Sequence, residues 1–231
     1  MSRARIYLWD LPIRLFHWLL VGLFIASFIT GRFGGNAMTW HGRCGLAIVG
    51  LLAFRLVWGV VGSTYARFSN FFPTPAKIVA YLRGHWRGVG HNPLGSLSVF
   101  GLLGLLTLQV ASGLPANDDI AFQGPLYNLV GKDWSDRLTG LHKLSINVLA
   151  VLVLLHLAAI TFYVRVKKDS LILPMLTGWK DVDSDAGGST QGGQPLALFV
   201  AIVIAVLAVY GASGLWLPTT VAPMAAPPPP W

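Results

Sequence analysis

Two histidines in one long apolar stretch, His142 and His156, lie fourteen residues apart. In an α-helix, fourteen steps of ~100° bring the second side chain to within about 40° of the first, and a rise of ~1.5 Å per residue separates them by about 21 Å. Because the hydrocarbon core of a bilayer is ~30 Å thick, one imidazole would lie near each face of a membrane. Imidazole is an axial ligand of haem iron, so the spacing predicts two haem sites at different depths along one helix.

The composition is that of a membrane protein with several spans. Of the 231 residues, 54% are hydrophobic and 11% are charged, which excludes a soluble domain and a disordered chain. The net charge of +8 does not indicate nucleic acid binding, because the basic residues lie in short loops between apolar segments. The single cysteine, Cys44, excludes an intramolecular disulfide, a cysteine-held iron–sulfur cluster and covalently attached c-type haem.

Five segments are long and apolar enough to cross a membrane as helices. The hydropathy pattern predicts them at about residues 11–30, 40–61, 95–113, 136–166 and 195–217. Basic residues concentrate before the first segment, between the second and third, and after the fourth. By the positive-inside rule we expect five spans with the N-terminus on the cytoplasmic side and the C-terminus outside.

The sequence predicts an all-α membrane protein in two parts. Residues 1–177 are expected to form a four-helix transmembrane bundle that holds two b-type haems, and residues 195–217 a fifth, C-terminal transmembrane helix. Between them, residues 178–194 are polar and rich in glycine, which is typical of a flexible linker, here on the cytoplasmic side. Residues 218–231 are rich in proline and are expected to form a periplasmic tail.

The predicted topology sorts four histidines into two depths. His41 and His142 each begin a helix from the periplasmic side and are expected to hold the outer haem iron. His17 begins a helix from the cytoplasmic side and lies level with His156, so these two are expected to hold the inner haem iron. A single histidine in a membrane helix can be a packed hydrogen-bonding residue, but four at matching depths favour haem. Zinc needs a more clustered ligand set.

Two further residues are candidates at the cytoplasmic level. Arg55 lies fourteen residues after His41, and arginine is a bidentate partner for the carboxylate of a haem propionate or a cation facing a quinone. The alternative for Arg55 is an arginine that extends from a helix end to the interface. His91 opens the third span and could serve the inner haem or a quinone, the alternative being a hydrogen-bonding residue at a helix start.

Several segments together resemble a known family. These are WDLPIRLFHW around His17, WHGRCGL at His41, FRLVWGVVG through Arg55, and LHKLSINVLAVLVLLH around His142 and His156. They resemble the bacterial cytochrome b561 family, which is related to the b-type cytochrome subunits of nickel–iron hydrogenases. The resemblance covers about residues 5–180 and implies a bacterial cytoplasmic (inner) membrane, with the N-terminus cytoplasmic and the C-terminus periplasmic. It implies a dihaem four-helix core with the four histidines as ligands, moving electrons between quinone and a redox partner.

These features favour a membrane-bound dihaem b-type cytochrome, an electron-transfer subunit rather than a stand-alone enzyme. It would transfer electrons between the quinone pool and a periplasmic partner, either a c-type cytochrome or a hydrogenase-like oxidoreductase subunit. The expected cofactors are two haem b, with quinone as a further ligand, and membrane lipid surrounds the protein. The alternatives are a superoxide:quinone oxidoreductase and a haem-free membrane assembly subunit.

The connection before the fourth span carries acidic residues that could serve as an electrostatic dock. They are Asp118, Asp119, Asp133 and Asp136. On the periplasmic side they would attract a basic protein surface, and the alternative is that they are solvated loop residues without a partner.

Overall fold

The computed structural model describes residues 3–183 and 187–218, and within them the chain is helical apart from two short paired strands. The elements in chain order are β1 (Arg3–Tyr7), α1 (Leu11–Phe33), α2 (Met38–Val61), α3 (Phe68–Phe71), α4 (Pro75–Leu82), α5 (Pro93–Gly113), α6 (Tyr127–Val130), α7 (Lys132–Arg165), α8 (Ile172–Thr177), β2 (Trp179–Asp183) and α9 (Pro195–Ser213). Helices α1, α2, α5, α7 and α9 are long and apolar enough to cross a membrane, which confirms the five predicted spans.

The helix starts follow from local side-chain chemistry. The carboxylate of Asp10 accepts a hydrogen bond from the backbone N–H of Ile13 at 2.8 Å and so caps α1. Asn92 caps α5 in the same way through the N–H of Gly95, and Pro93 occupies the first turn, where no backbone N–H is needed. The second oxygen of Asp10 accepts from Trp58 Nε1 at 2.9 Å, so the cap of α1 also ties α1 to α2.

Four of the spans share one apolar core. Helix α1 packs against α2, α5 packs against α7, and α2 contacts α5. The buried side chains that meet between them are Phe16 of α1, Ile48 and Leu52 of α2, Leu103 and Leu106 of α5, and Leu149 of α7. This packing holds the helices that carry the four candidate ligands in one unit.

The fifth span is joined closely to the second. Helix α9 packs along α2, where a Cβ added to Gly50 would lie 2.8 Å from Val209 Cγ2. Ala201 is fully buried in a second apolar cluster that includes Trp58. The predicted separation of the fifth helix from the other four therefore differs from the structure.

The segment predicted to be a flexible linker is also largely engaged. Strand β2 pairs antiparallel with β1, from Arg3 opposite Asp183 to Tyr7 opposite Trp179. Further on, the N–H of Thr190 donates to the carbonyl of Tyr7 at 2.7 Å. A polar, glycine-rich composition is compatible with disorder, but here a distant strand supplies the hydrogen-bonding partners. The predicted proline-rich tail lies, from residue 219 onward, outside the described residues.

Candidate functional site

His41 and His142 face each other at one end of the helices. His41 lies in the first turn of α2 and His142 about three turns into α7, and their ring centroids are 5.9 Å apart with the planes at 89°. Two imidazoles bound on opposite sides of one metal ion, each with a metal–nitrogen bond of ~2 Å, have ring centroids ~6 Å apart. The structure thus brings this predicted pair together at a separation at which both imidazoles could bind one metal ion.

The outward nitrogen of each ring is held by a backbone carbonyl. His41 Nδ1 lies 2.9 Å from the carbonyl oxygen of Ser27, and His142 Nδ1 lies 2.8 Å from that of Gln109. A carbonyl oxygen can only accept, so Nδ1 must carry the proton in both rings. That tautomer leaves the lone pair on Nε2, which is the arrangement found in metal-ligating histidines.

A glycine lets each ring approach its carbonyl. On α1, Gly31 follows Ser27 by four residues, and a Cβ added to it would lie 2.9 Å from His41 Nδ1. On α5, Gly113 follows Gln109 by four residues, and a Cβ there would lie 2.7 Å from His142 Cε1. We call the carbonyl of the first residue and the glycine four residues later a notch: the α1 notch is Ser27 with Gly31, and the α5 notch is Gln109 with Gly113.

Both histidines line a cavity of about 610 Å³. Its walls are mainly apolar, and they include Gly42 and Gly45, which leave room for a flat group beside α2. Two cations, Arg32 and Lys143, also line it and are suited to carboxylate groups. The tautomers, the ring separation and the lining therefore fit a haem with two imidazole ligands.

The second predicted pair lies at the other end of the helices. His17 is in the second turn of α1, where its ring meets the Trp18 ring edge-on at 5.2 Å. His156 Nδ1 lies 3.5 Å from the hydroxyl of Ser98 on α5. The contact is longer than either carbonyl bond at the first end, so the His156 ring is held more loosely.

His91 and Arg55 both lie at this second end. The His91 ring packs between the rings of Trp9 and Phe71, each with a centroid distance of 4.8 Å. Burial lowers the pKa of His91 most, and together with a smaller contribution from positive charge on Arg55, His156 and His17 it brings that pKa to about 3. His91 is therefore a neutral imidazole within electrostatic reach of both predicted ligands.

Arg55 is buried inside the protein, with 4% of its surface exposed. Its guanidinium lies 4.4 Å from the centre of the Phe68 ring, and Nη1 donates to the carbonyl of Ala66 at 3.2 Å. The alternative of an arginine that extends to the interface does not fit this burial. Its role beside the His17–His156 pair stays a prediction.

A second cavity, of about 310 Å³, opens next to His91. Its walls combine aromatic rings, from Phe71 and Trp86, with polar groups, from Asn70 and Lys77. It is smaller and more polar in character than the cavity at the His41–His142 end.

The loop acids that were expected to form a dock are engaged within the protein. One carboxylate oxygen of Asp118 accepts from the backbone N–H groups of Ile120, Ala121 and Phe122 at 2.8–3.0 Å, which holds the pKa of that carboxyl below its usual range. Lys132 bonds Asp119 at 2.5 Å and Asp136 at 3.1 Å. Three of the four carboxylates thus shape the loop, and the net charge they present is smaller than the sequence suggests.

Sequence reasoning missed the residues that hold the histidines. Ser27, Gly31, Gln109 and Gly113 are not ligand types, and they act through backbone or through the lack of a side chain. One signal was present: a polar residue followed four positions later by glycine occurs in both the first and third spans. Gln109 is also an amide within an apolar span, where polar groups need a partner.

Comparisons with known proteins identify the family of this chain. A family model described as prokaryotic cytochrome b561 matches residues 8–178, a range that includes all four predicted ligands. These matches, with the relatives below, confirm the resemblance predicted from the sequence. No solved structure matches the chain.

The similar curated proteins have closely related names. The chain is 25% identical over 232 residues to the probable Ni/Fe-hydrogenase B-type cytochrome subunit of Azotobacter chroococcum mcd 1, covering 80% of this chain and 92% of that protein. A protein of the same name from Rhodobacter capsulatus is 23% identical over 222 residues, covering 79% and 84%. The probable Ni/Fe-hydrogenase 1 B-type cytochrome subunit of Escherichia coli (strain K12) is 23% identical over 138 residues, covering 46% of this chain and 58% of that protein.

Proposed function

Because this chain belongs to the prokaryotic cytochrome b561 family, we propose that it is a dihaem electron carrier between quinone and a redox partner across the membrane. The observation that carries the proposal is the His41–His142 pair, with rings 5.9 Å apart and both Nδ1 atoms bonded to carbonyls. Haem, when bound, supplies reversible one-electron chemistry. The chain supplies the ligands, their orientation and the apolar surroundings.

At the first site, His41 and His142 would hold one haem through Nε2. The carbonyls of Ser27 and Gln109 each accept from Nδ1, so Nε2 carries the lone pair in both rings, and both residues line the 610 Å³ cavity. Arg32 and Lys143 line the same cavity and are suited to the two propionate groups.

At the second site, His17 and His156 would hold the other haem. The support is their position on α1 and α7, at the end opposite to the first pair. Arg55 is a buried cation within reach of this group and is suited to a propionate.

The cavity beside His91 is the proposed reaction site for quinone. A quinone ring needs flat apolar walls and hydrogen-bond donors for its two oxygens. Phe71 and Trp86 supply the walls, and the neutral imidazole of His91 and the ammonium of Lys77 supply polar groups. This cavity lies at the same end as the His17–His156 pair. Electrons could therefore pass directly between a quinone in the cavity and the haem that those two histidines would hold.

The proposed orientation follows from charge. Basic residues concentrate in the segments at the His17–His156 end, which by the positive-inside rule is the cytoplasmic end of a bacterial inner membrane. The N-terminus is then cytoplasmic and the C-terminus periplasmic, and the His41–His142 site faces a periplasmic partner. The relatives named as Ni/Fe-hydrogenase cytochrome subunits favour an oxidoreductase of that kind over a c-type cytochrome as the partner.

Haem stoichiometry tests the proposal directly. Pyridine haemochrome titration of the purified protein is expected to give about two b-type haems per chain. His142→Ala and His17→Ala should each remove one haem and spare the other, since each removes one axial ligand from a different site. His85→Ala, which changes an exposed loop histidine, is the control and should keep both. A value near zero for the unaltered protein, or loss of both haems from each folded variant, would contradict the two-site proposal.

A further inference from the structure

Helix α5 carries none of the four predicted ligands, yet it makes the most elaborate polar contact with one of them. Gln109 on α5 and Ser145 on α7 are both buried, with 8% and 3% of their surfaces exposed. The side-chain oxygen of Gln109 accepts from the Ser145 hydroxyl at 2.5 Å, and its Nε2 donates to the backbone carbonyl of His142 at 3.2 Å. The oxygen and the nitrogen of the Gln109 amide therefore both form hydrogen bonds with the turn of α7 that begins at His142.

The same residue also contacts the imidazole. The backbone carbonyl of Gln109 accepts from His142 Nδ1 at 2.8 Å, while its side-chain Nε2 lies 3.1 Å from Nδ1 and 3.2 Å from Nε2 of the ring. Because Nδ1 donates to the carbonyl, ring Nε2 carries the lone pair, and the side-chain amide of Gln109 is a donor within hydrogen-bond distance of it. A metal ion at Nε2 would take the place of this one contact. Gln109 thus holds the ring and the backbone behind it at once.

The α1 notch lacks this second contact. Ser27 offers its carbonyl to His41 Nδ1 at 2.9 Å and its hydroxyl at 3.2 Å, and among the described residues its side chain bonds no other residue of α2. His41 is therefore held through its ring alone, whereas His142 is held through its ring and its main chain. The two predicted ligands of one site differ in how firmly the neighbouring helix holds them.

We propose that Gln109 is the positioning residue for His142 and that it sets the reduction potential of the haem at the His41–His142 site. A hydrogen bond from Nδ1 to a carbonyl makes the imidazole a stronger donor to iron, which stabilises the ferric state and lowers the potential. We call the hydrogen bonds from the Gln109 side chain to Ser145 and to the His142 carbonyl the Gln109–Ser145 clamp. By fixing α7 against α5, the clamp keeps the bond from His142 Nδ1 to the Gln109 carbonyl short. The inference rests on the proposed function, because it takes His142 to be an axial ligand.

The test is a redox titration of the purified full-length protein that resolves two midpoint potentials. Gln109→Met keeps the length of the side chain and removes its hydrogen bonds, and Ser145→Ala removes only the anchor of the amide oxygen. Gln109→Met is expected to raise one midpoint by about 59 mV, a tenfold change in the one-electron equilibrium. Ser145→Ala should shift the same midpoint in the same direction by less, and the other midpoint should stay in place.

Controls assign the shift to the clamp. Thr107→Val on α5 removes a hydroxyl that bonds only its own helix, at Leu103, and should leave both midpoints unchanged. The His142→Ala variant should retain only the haem at the His17–His156 site, so its single midpoint potential identifies that haem. This is the midpoint that should not change in Gln109→Met. In the low-spin electron paramagnetic resonance spectrum, one of the two haem signals should change with Gln109→Met and the other should not.

Each outcome is decisive. Two retained haems whose midpoints ignore both substitutions, or that move together by equal amounts, would overturn the inference while leaving the two-haem proposal in place. Absence of haem from the unaltered protein would instead remove the proposed function. If Gln109→Met does not yield folded protein, Ser145→Ala supplies the same comparison, and an unshifted midpoint in that variant would overturn the inference by itself.

Discussion

The two ends of the helix core use the same ligand type in different surroundings. At the His41–His142 end, both outward nitrogens are bonded to carbonyls at 2.8–2.9 Å and the rings face a cavity of about 610 Å³. At the other end, the corresponding nitrogen of His156 has a hydroxyl at 3.5 Å, and a third histidine and a buried arginine join the group. At the His41–His142 end, both imidazoles have a fixed orientation, because their Nδ1 atoms donate to main-chain carbonyls. Ligands oriented in this way would hold a haem in one position.

Under the proposed function, the His17–His156 end would bind and release quinone as well as hold a haem. The cavity beside His91 is about half the volume of the first and is lined by polar side chains such as Lys77 as well as by aromatic rings. A diffusing substrate needs such a place to enter and leave, whereas a resident cofactor needs rigid ligands. Under the proposed function, the first end would only hold a cofactor, whereas the second end would also react with a small molecule.

The largest expected effect comes from filling a notch. Gly113→Ala places a Cβ 2.7 Å from His142 Cε1, so the ring must leave the Gln109 carbonyl. Loss of such an outer-sphere partner typically weakens metal-site affinity by roughly 10–100-fold, so haem content should fall from about two toward one per chain. Gly104→Ala on the same helix, where nothing lies within 4 Å, should keep both haems. Equal haem content in the two variants would show that the notch is not needed.

An intermediate effect is expected at the His17–His156 end, in the cavity proposed to bind quinone. His91→Phe keeps a ring between Trp9 and Phe71 and removes the imidazole nitrogens. With one hydrogen bond to quinone lost, kcat/KM for quinone reduction should fall roughly tenfold while both haems remain. His85→Phe in the exposed loop is the matched control. Loss of haem from His91→Phe would assign His91 to the haem site, and an unchanged rate would move the quinone site elsewhere.

The smallest effect concerns the fifth span, which touches neither proposed site. Gly50→Val brings side-chain atoms into Val209 on α9, where even a Cβ would lie 2.8 Å from Cγ2. Overpacking of this kind costs about 1–3 kcal/mol, so the unfolding midpoint should drop by several degrees while the haem spectrum stays the same. Gly22→Val, with no atom within 4 Å of its Cβ position, is the control. Equal unfolding midpoints would mean that α9 does not stabilise α2.

The sequence predicted the spans and the levels of the four histidines because both are local properties. A run of about twenty apolar residues defines a membrane helix, and fourteen steps of a regular helix place His142 and His156 on one face at known depths. Nothing local identifies the carbonyl of Ser27 or Gln109 as an acceptor, since every residue has one. Likewise, the acidic loop could not be separated from a charged dock until Lys132 and the backbone were seen to engage it.

By itself, then, the sequence determined the membrane class, the five helices and the candidate ligands, since apolar length and helical periodicity act within a segment. Only the tertiary structure decided that His41 meets the α1 notch and His142 the α5 notch, because each contact joins residues from different helices. It also decided that α9 lies along α2 and that β2 pairs with β1. A segment's composition sets how strongly it prefers lipid or water, but the partner it packs against depends on surfaces that only folding brings together.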